Sequence, residues 1–351
     1  MPEKTKFLIA GICAVSLFGF LTLFTVDSQN QTLSFNKILE FAEASEQNSH
    51  VIELSAEPLP NGQLAYKMVS HVVNPDGDNT DLTSNYSSQP SIPGPIIVVD
   101  EGDEIEISLT NNIPENSSFA SNIVSLHVHG VHYEITSDGT LMSVNGVSDQ
   151  GAAPGETRTF HWIAGPGTAG SWPYHDHTLI DTNGAEHKGL FGMILVNPAS
   201  EEVEVIKEKN PQKPSKTIDI KHIKKEFVLY LGDDAFWGME IDNTSGEQNP
   251  LWVNPTLNAK QNDYVRFHLI ALGADTHEFQ MTEYEWLYPG TSDKINKVDI
   301  GPLENHQFTV KTKKGTAEYF DNNESNNLMG MKGTIVGSPK GGSSIPGVSP
   351  I

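Results

Sequence analysis

A chain of 351 residues, 37% of them hydrophobic, is long enough for two domains of ordinary size, each burying its own core. Its formal charge of −23 repels phosphate backbones and anionic membrane surfaces, which excludes nucleic acid as a partner and leaves small molecules, cations or basic proteins. The one cysteine, Cys13, lies near the N-terminus, so the body of the chain can form no disulfide and offers no thiolate to a metal.

From Phe7 to Val26 the chain carries no charge, with Lys4 and Lys6 before the run and Asp27 after it. Residues 1–30 are therefore expected to enter a membrane as a signal peptide or an anchor. Leu23 to Asp27 offers no small-residue cleavage pattern, which favours an uncleaved anchor. The body is then exported, on the outer face of the cytoplasmic membrane or in a periplasm-like space. Asn-x-Ser/Thr triplets at Asn85, Asn116 and Asn243 are compatible with that location. Residues 31–50, polar around the apolar patch Phe35 to Phe41, read as a spacer.

Beyond the spacer the pattern is all-β. Short apolar or alternating runs such as Ile96 to Val99, Glu104 to Leu109 and Gly192 to Val196 are separated by Gly, Pro, Asn and Asp clusters at sandwich-like spacing. The body also repeats itself. Glu101-Gly102-Asp103-Glu104-Ile105 is echoed by Gln261-Asn262-Asp263-Tyr264-Val265, and Leu126-His127-Val128-His129 by Thr276-His277-Glu278-Phe279-Gln280. Pro154 to Phe160 is echoed by Pro302 to Phe308, and Gly189-Leu190-Phe191-Gly192 by Gly330-Met331-Lys332-Gly333. Residues 51–200 thus form one sandwich and 223–338 a second. A linker spans 201–222, around the Lys/Pro-rich stretch Ile206 to Lys216, and 339–351 is a tail.

The first copy holds His127-Val128-His129 and His175-Asp176-His177. Alternate residues of a strand share a face about 7 Å apart, so each pair can present two imidazoles to one metal or to a close pair of metals. Imidazole suits copper, zinc, iron or nickel, and four neutral imidazoles with an open position suit a type 2 copper or a zinc. His132, His161, His187, His268 and His306 are isolated or on the wrong alternation and read as surface or supporting residues.

These motifs resemble the first domain of two-domain multicopper oxidases, the small laccases of the cupredoxin superfamily. The likeness is carried by Ser91 to Pro95, Leu126 to Glu134, Ser137 to Thr140, Pro154 to Arg158 and Trp172 to His177. The resemblance implies two consecutive cupredoxin-like Greek-key β-sandwich domains after an N-terminal membrane segment. It also implies a ring-shaped homotrimer, with His127 facing a type 2 copper and His129, His175 and His177 a type 3 pair. His132, Asp176 and His187 are candidates to support these ligands by hydrogen bonds.

The second copy departs from the family pattern. Gln280, Thr282, Phe320 and Asn322 stand at its cluster histidine positions, and Gln280 and Asn322 could only hydrogen-bond a water or substrate. At the blue-copper, type 1 position, His277 and Met331 persist, but Asp321 replaces the thiolate and Asn326 a histidine. The expectation is a copper-binding protein with a reduced type 2-like site, mono- or dinuclear, and no blue copper. Two readings compete with it. One is a copper oxidoreductase acting on a nitrogen oxide, hydroxylamine or dioxygen, fed by an electron-transfer protein. The other is a structural trimer with vestigial histidines. Whether the protein is an enzyme stays open at this level.

Overall fold

The computed structural model describes residues 47–115, 123–140, 150–177, 189–207 and 215–339. The proposed membrane segment, Cys13, Asn116, His187 and the tail beyond 339 lie outside them. Among the described residues, no helix is long and apolar enough to cross a membrane.

The described chain is built almost entirely of strands, in two sandwiches of matching topology. In the first, one sheet runs in the order Thr80–Asp81, Leu64–Val73, Ser49–Pro58, Glu104–Asn111, Thr157–Ile163, His132–Tyr133. The facing sheet runs Ile96–Asp100, Phe191–Asn197, Gly170–His175, His127–Val128. The second sandwich repeats this with Gln248–Val253, Phe236–Asp242, Ile223–Leu231, Tyr264–Ala271 and Asn305–Lys311 in one sheet. Opposite them stand Thr256–Lys260, Lys332–Ser338, Gly315–Asp321, His277–Met281 and Lys297–Ile300. Each copy places its first long strand parallel to the strand of the repeated Asp landmark, Ser49–Pro58 beside Glu104–Asn111 and Ile223–Leu231 beside Tyr264–Ala271.

Alternation decides which side chains are inside. Ile105, Ile107 and Leu109 of strand Glu104–Asn111 are buried, while Glu104, Glu106 and Ser108 point outward. Strand Phe191–Asn197 is apolar on both faces because both are covered. Ile194 and Val196 enter the core of the first sandwich, and Phe191, Met193 and Leu195 meet Val228, Tyr230, Met239 and Ile270 of the second. At about 1.5–3 kcal/mol of gross transfer energy per buried apolar side chain, this seam holds the two sandwiches together.

The seam is polar at two points. Gln248 replaces a missing neighbour for the edge strand Ile96–Asp100, its amide donating to the Ile96 carbonyl at 2.7 Å and accepting the Ile96 N–H at 2.9 Å. His268, expected at the surface or beside the metal site, is fully buried. It joins Ser171 of the first sandwich to Glu226 of the second, whose carboxylate also takes Arg266 in two bonds of 2.8 and 2.9 Å. Burial opposes ionisation of Glu226, but Arg266 and then His268 overcome it and pull the carboxyl down to about 2. His306 is likewise buried, because Trp286 Nε1 donates to its Nε2 at 3.0 Å.

The flanks of the expected linker are not a free tether but a paired ribbon. Glu202–Ile206 pairs antiparallel with Ser215–Asp219, since Val203 and Val205 alternate with charged residues and favour a strand over a free tether.

Candidate metal centre

His127 opens a two-residue strand and faces His175, the last residue of Gly170–His175. His129 and His177 lie just past these strand ends, where pleated spacing no longer applies. After Val128 the chain turns through Gly130, whose φ of +72° suits glycine and whose missing Cβ leaves room for the Trp172 ring. The rings consequently crowd closer than a strand would place them. Centroids stand 4.9 Å apart for His127 and His129, 5.5 Å for His127 and His175, 5.1 Å for His127 and His177, and 5.3 Å for His129 and His175.

The hydrogen bonds around the cluster fix which nitrogens face inward. His127 Nδ1 meets the Asp138 carbonyl oxygen, and His175 Nδ1 the Asp176 carbonyl oxygen at 3.0 Å. A carbonyl only accepts, so both Nδ1 atoms carry the proton and both Nε2 atoms present lone pairs. His129 Nε2 and His175 Nε2 face each other at 3.1 Å, the spacing two nitrogens take when both bond one ion at about 2.0–2.1 Å. One nitrogen each from His127, His129 and His175 lies within 4.8 Å of the other two. Nδ1 of the fourth ring, His177, is buried with no hydrogen-bond partner among the described residues.

Electrostatics agree with this geometry. Burial, followed by the neighbouring imidazoles, holds His175 down at about 3 and His129 at about 4, and burial also lowers His127. The rings are neutral near pH 7, as metal ligation requires. Two fixed lone pairs on His127 and His175, the His129 nitrogen 3.1 Å from one of them, a buried unpartnered Nδ1 on half-buried His177 and suppressed protonation fit an imidazole-bound copper.

Asp138 and Tyr133 also belong to this site, beyond the residues expected from the motifs. The Asp138 carboxylate lies 3.3 Å from His127 Nδ1 and takes the Thr140 hydroxyl, while the Tyr133 ring stands 6.1 Å from His127. Burial, then Asp138, pushes the Tyr133 phenol up to about 12. Gly139 makes this arrangement possible, since at φ +76° an added Cβ would come 2.0 Å from the Leu126 carbonyl oxygen. The Ser137 to Thr140 motif was the available signal.

The remaining candidates fall elsewhere. Asp176 turns away from the rings to accept the Ser125 N–H at 2.8 Å, and the Ser125 hydroxyl accepts the His177 N–H at 2.9 Å, tying the two histidine-bearing segments together. His132 lies against Gly165, with no hydrogen bond to the four rings. In the second sandwich Gln280 stands opposite Phe320, and Asn322 donates to Glu278. Within one chain neither Gln280 nor Asn322 is in hydrogen-bonding contact with the four histidines.

His277, Asp321, Asn326 and Met331 do come together, all buried. Asp321 meets His277 Nδ1 at 2.8 Å and accepts Asn326 Nδ2 at 2.7 Å, the Glu278 N–H at 3.1 Å and the Asn323 N–H at 3.0 Å. Burial works against its charge, but these bonds, His277 first, bring its carboxyl below the usual carboxylate range. The aspartate at the thiolate position is thus the hub of a hydrogen-bonded knot.

Paired sandwiches of this topology are a cupredoxin-like fold, here with an imidazole cluster at one strand end. Residues 72–201 match the family model described as multicopper oxidase. Over 228 residues the chain is 28% identical to a probable nitrite reductase-hydroxylamine oxidoreductase fusion protein of Kuenenia stuttgartiensis, covering 62% of this chain and 24% of that protein. A multicopper oxidase of Staphylococcus haemolyticus is 22% identical over 250 residues, 64% of this chain and 48% of its own length. The chain therefore spans about a quarter of the first relative and about half of the second. In fold it resembles the copper nitrite reductase of Nitrosomonas europaea, with a TM-score of 0.51 at 16% identity over 83% of this chain and 94% of that one. The first sandwich is thus similar to a multicopper oxidase domain, within a cupredoxin-like fold of two sandwiches.

Proposed function

We propose that this is an exported, membrane-tethered copper-binding protein whose His127, His129, His175 and His177 hold a reduced, type 2-like centre, mono- or dinuclear, without blue copper. The carrying observation is the 3.1 Å approach of two inward-facing Nε2 atoms beside a third ring, all neutral near pH 7. The second sandwich offers Gln280 and Phe320 at the equivalent pair of positions. Copper held there supplies a Lewis acid and a one-electron redox centre with room for a further ligand. The chain's own contribution is to fix tautomers through the Asp138 and Asp176 carbonyls and to keep the imidazoles unprotonated. The family's homotrimer, in which a neighbour's second sandwich covers the cluster, belongs to this proposal. With Asp321 at the thiolate position, ordinary laccase chemistry lacks its electron input. The test is copper stoichiometry with EPR on the copper-loaded chain. About one copper per chain with a type 2 signal supports the proposal, or two if the site is a coupled pair. Three coppers, or an intense blue absorption, overturns it.

A second reading has the centre act on a nitrogen oxide or hydroxylamine. It is favoured by the similarity, over 228 residues, to the Kuenenia stuttgartiensis fusion protein. Nitrite or hydroxylamine added with a reductant should then change the EPR signal and turn over, and His177→Ala should abolish both effects. An unchanged signal leaves copper binding alone.

A further inference from the structure

A second cavity lies on the seam, outside the histidine cluster. It is a cleft of about 430 Å³ with Trp172 of the first sandwich as one wall and Tyr288, Leu303 and His306 of the second as others. That volume lies within the range of small-ligand sites. Its walls are held in place. The Trp172 indole N–H donates to the Thr168 carbonyl at 2.7 Å, and Gly130 lies so close under the ring that a Cβ there would approach it to 1.9 Å. The His306 ring stacks on Tyr288, with centroids 6.0 Å apart and planes at 30°. Trp286 Nε1 can only donate, so His306 Nε2 accepts and the proton sits on Nδ1, which has no partner among the described residues.

The cleft leaves apolar surface uncovered. Tyr288 is 48% exposed and Leu303 45% exposed, the latter held at its lip with a φ of +63°, which is uncommon for a non-glycine residue. Its charge has one sign. Asp299 and Glu304 are its acidic side chains, and among the described residues no lysine or arginine lines it. Burial lowers His306 to about 4, so its ring adds no positive charge near pH 7. Glu304 spends one carboxylate oxygen on the Gly301 N–H at 2.7 Å, and the other has no hydrogen-bond partner among the described residues. Aromatic faces attract cations, and two carboxylates without a counter-charge add to that attraction.

We propose that this cleft is a binding site for a small organic ammonium ion, its charged head between Asp299 and Glu304 and its body against Trp172 and Tyr288. The site is independent of the copper proposal, because none of the four clustered histidines lines it. The two are nonetheless close, since Trp172 precedes His175 by three residues on one strand, a span of about 10 Å.

The experiment is a titration of the metal-free full chain with benzyltrimethylammonium, followed by tryptophan fluorescence and calorimetry. Phenylacetate and benzyl alcohol serve as anionic and neutral probes of similar size. Saturable binding of the cation is expected, about tenfold or more tighter than the alcohol, with no saturation by phenylacetate. Asp299→Asn combined with Glu304→Gln should weaken it about tenfold, and Tyr288→Ala should do likewise. These positions are exposed or at the lip of the cleft, and circular dichroism checks that the fold is kept. His129→Ala with His175→Ala should leave the affinity unchanged. Absence of saturable cation binding, equal affinity for phenylacetate, or full affinity in the double carboxylate variant overturns the proposal.

Discussion

Tyr174-His175-Asp176-His177 in the first sandwich and Tyr319-Phe320-Asp321-Asn322 in the second occupy the same place in the same topology. Both tyrosines reach over the neighbouring strand of their own sheet to a proline carbonyl, Tyr174 to Pro95 and Tyr319 to Pro255, each at 2.6 Å. Glycine makes room for both rings, since a Cβ on Gly192 or Gly333 would meet the tyrosine at 2.3 or 2.2 Å. Both aspartates turn inward and accept backbone N–H groups. The outward residues alone differ, two imidazoles in one copy against a phenyl and an amide in the other. Register is therefore set by inward side chains, and ligands can be gained or lost on the opposite face without disturbing it.

The comparison breaks most visibly at Asp321. Asp321→Ala leaves His277, Asn326 and two backbone N–H groups without their acceptor in a buried site, and should cost about 3–5 kcal/mol in urea unfolding. A loss below about 1 kcal/mol would contradict a hub role for Asp321.

Acid should weaken both halves. Burial, and then His50, holds His71 of the first sandwich at about 3, and burial holds His306 of the second at about 4, against the usual 6.5. Above pH 6.5 neither group contributes a pH dependence. As pH falls below it, the unfolded chain takes up protons that the folded chain excludes, so stability declines towards pH 4 for His306 and pH 3 for His71. Unfolding midpoints at pH 7, 5.5 and 4 check this, and a rise in stability on acidification would contradict it.

A smaller and more discriminating effect concerns the tyrosine ties. Tyr174→Phe and Tyr319→Phe should each cost about 1–2 kcal/mol, and nearly the same amount, because each strips one buried carbonyl of its donor. Smallest of all is the exposed pair of Lys297 and Glu278 at 3.0 Å, where Lys297→Ala should change stability by less than about 1 kcal/mol.

The two sandwiches were legible because strand alternation and the recurring landmarks are local in sequence, and so was the convergence of His127, His129, His175 and His177. What escaped depends on pairing between distant strands. Asp103, His50, His71 and Tyr86 form one buried hydrogen-bonded chain of 3.0, 2.9 and 2.7 Å, yet they come from separate elements up to 53 positions apart. Ser171 and His268 meet across the seam at a separation of 97 residues, so nothing around His268 in sequence marks it as buried. Asp138 was visible as part of a motif, but its approach to His127 follows from the turn at Gly139. His306 gave no sign of burial either, because its partner Trp286 lies on another strand.

The central claim is that the first sandwich holds copper and the second, at the same register, does not. It is tested most directly by copper binding to two double variants of the full chain, His129→Ala with His175→Ala and His277→Ala with Asp321→Asn, each checked for retained fold by circular dichroism. The account predicts that the first variant loses its copper and its type 2 EPR signal while the second keeps both. Copper retained by the first variant, or lost from a folded second variant, would contradict it.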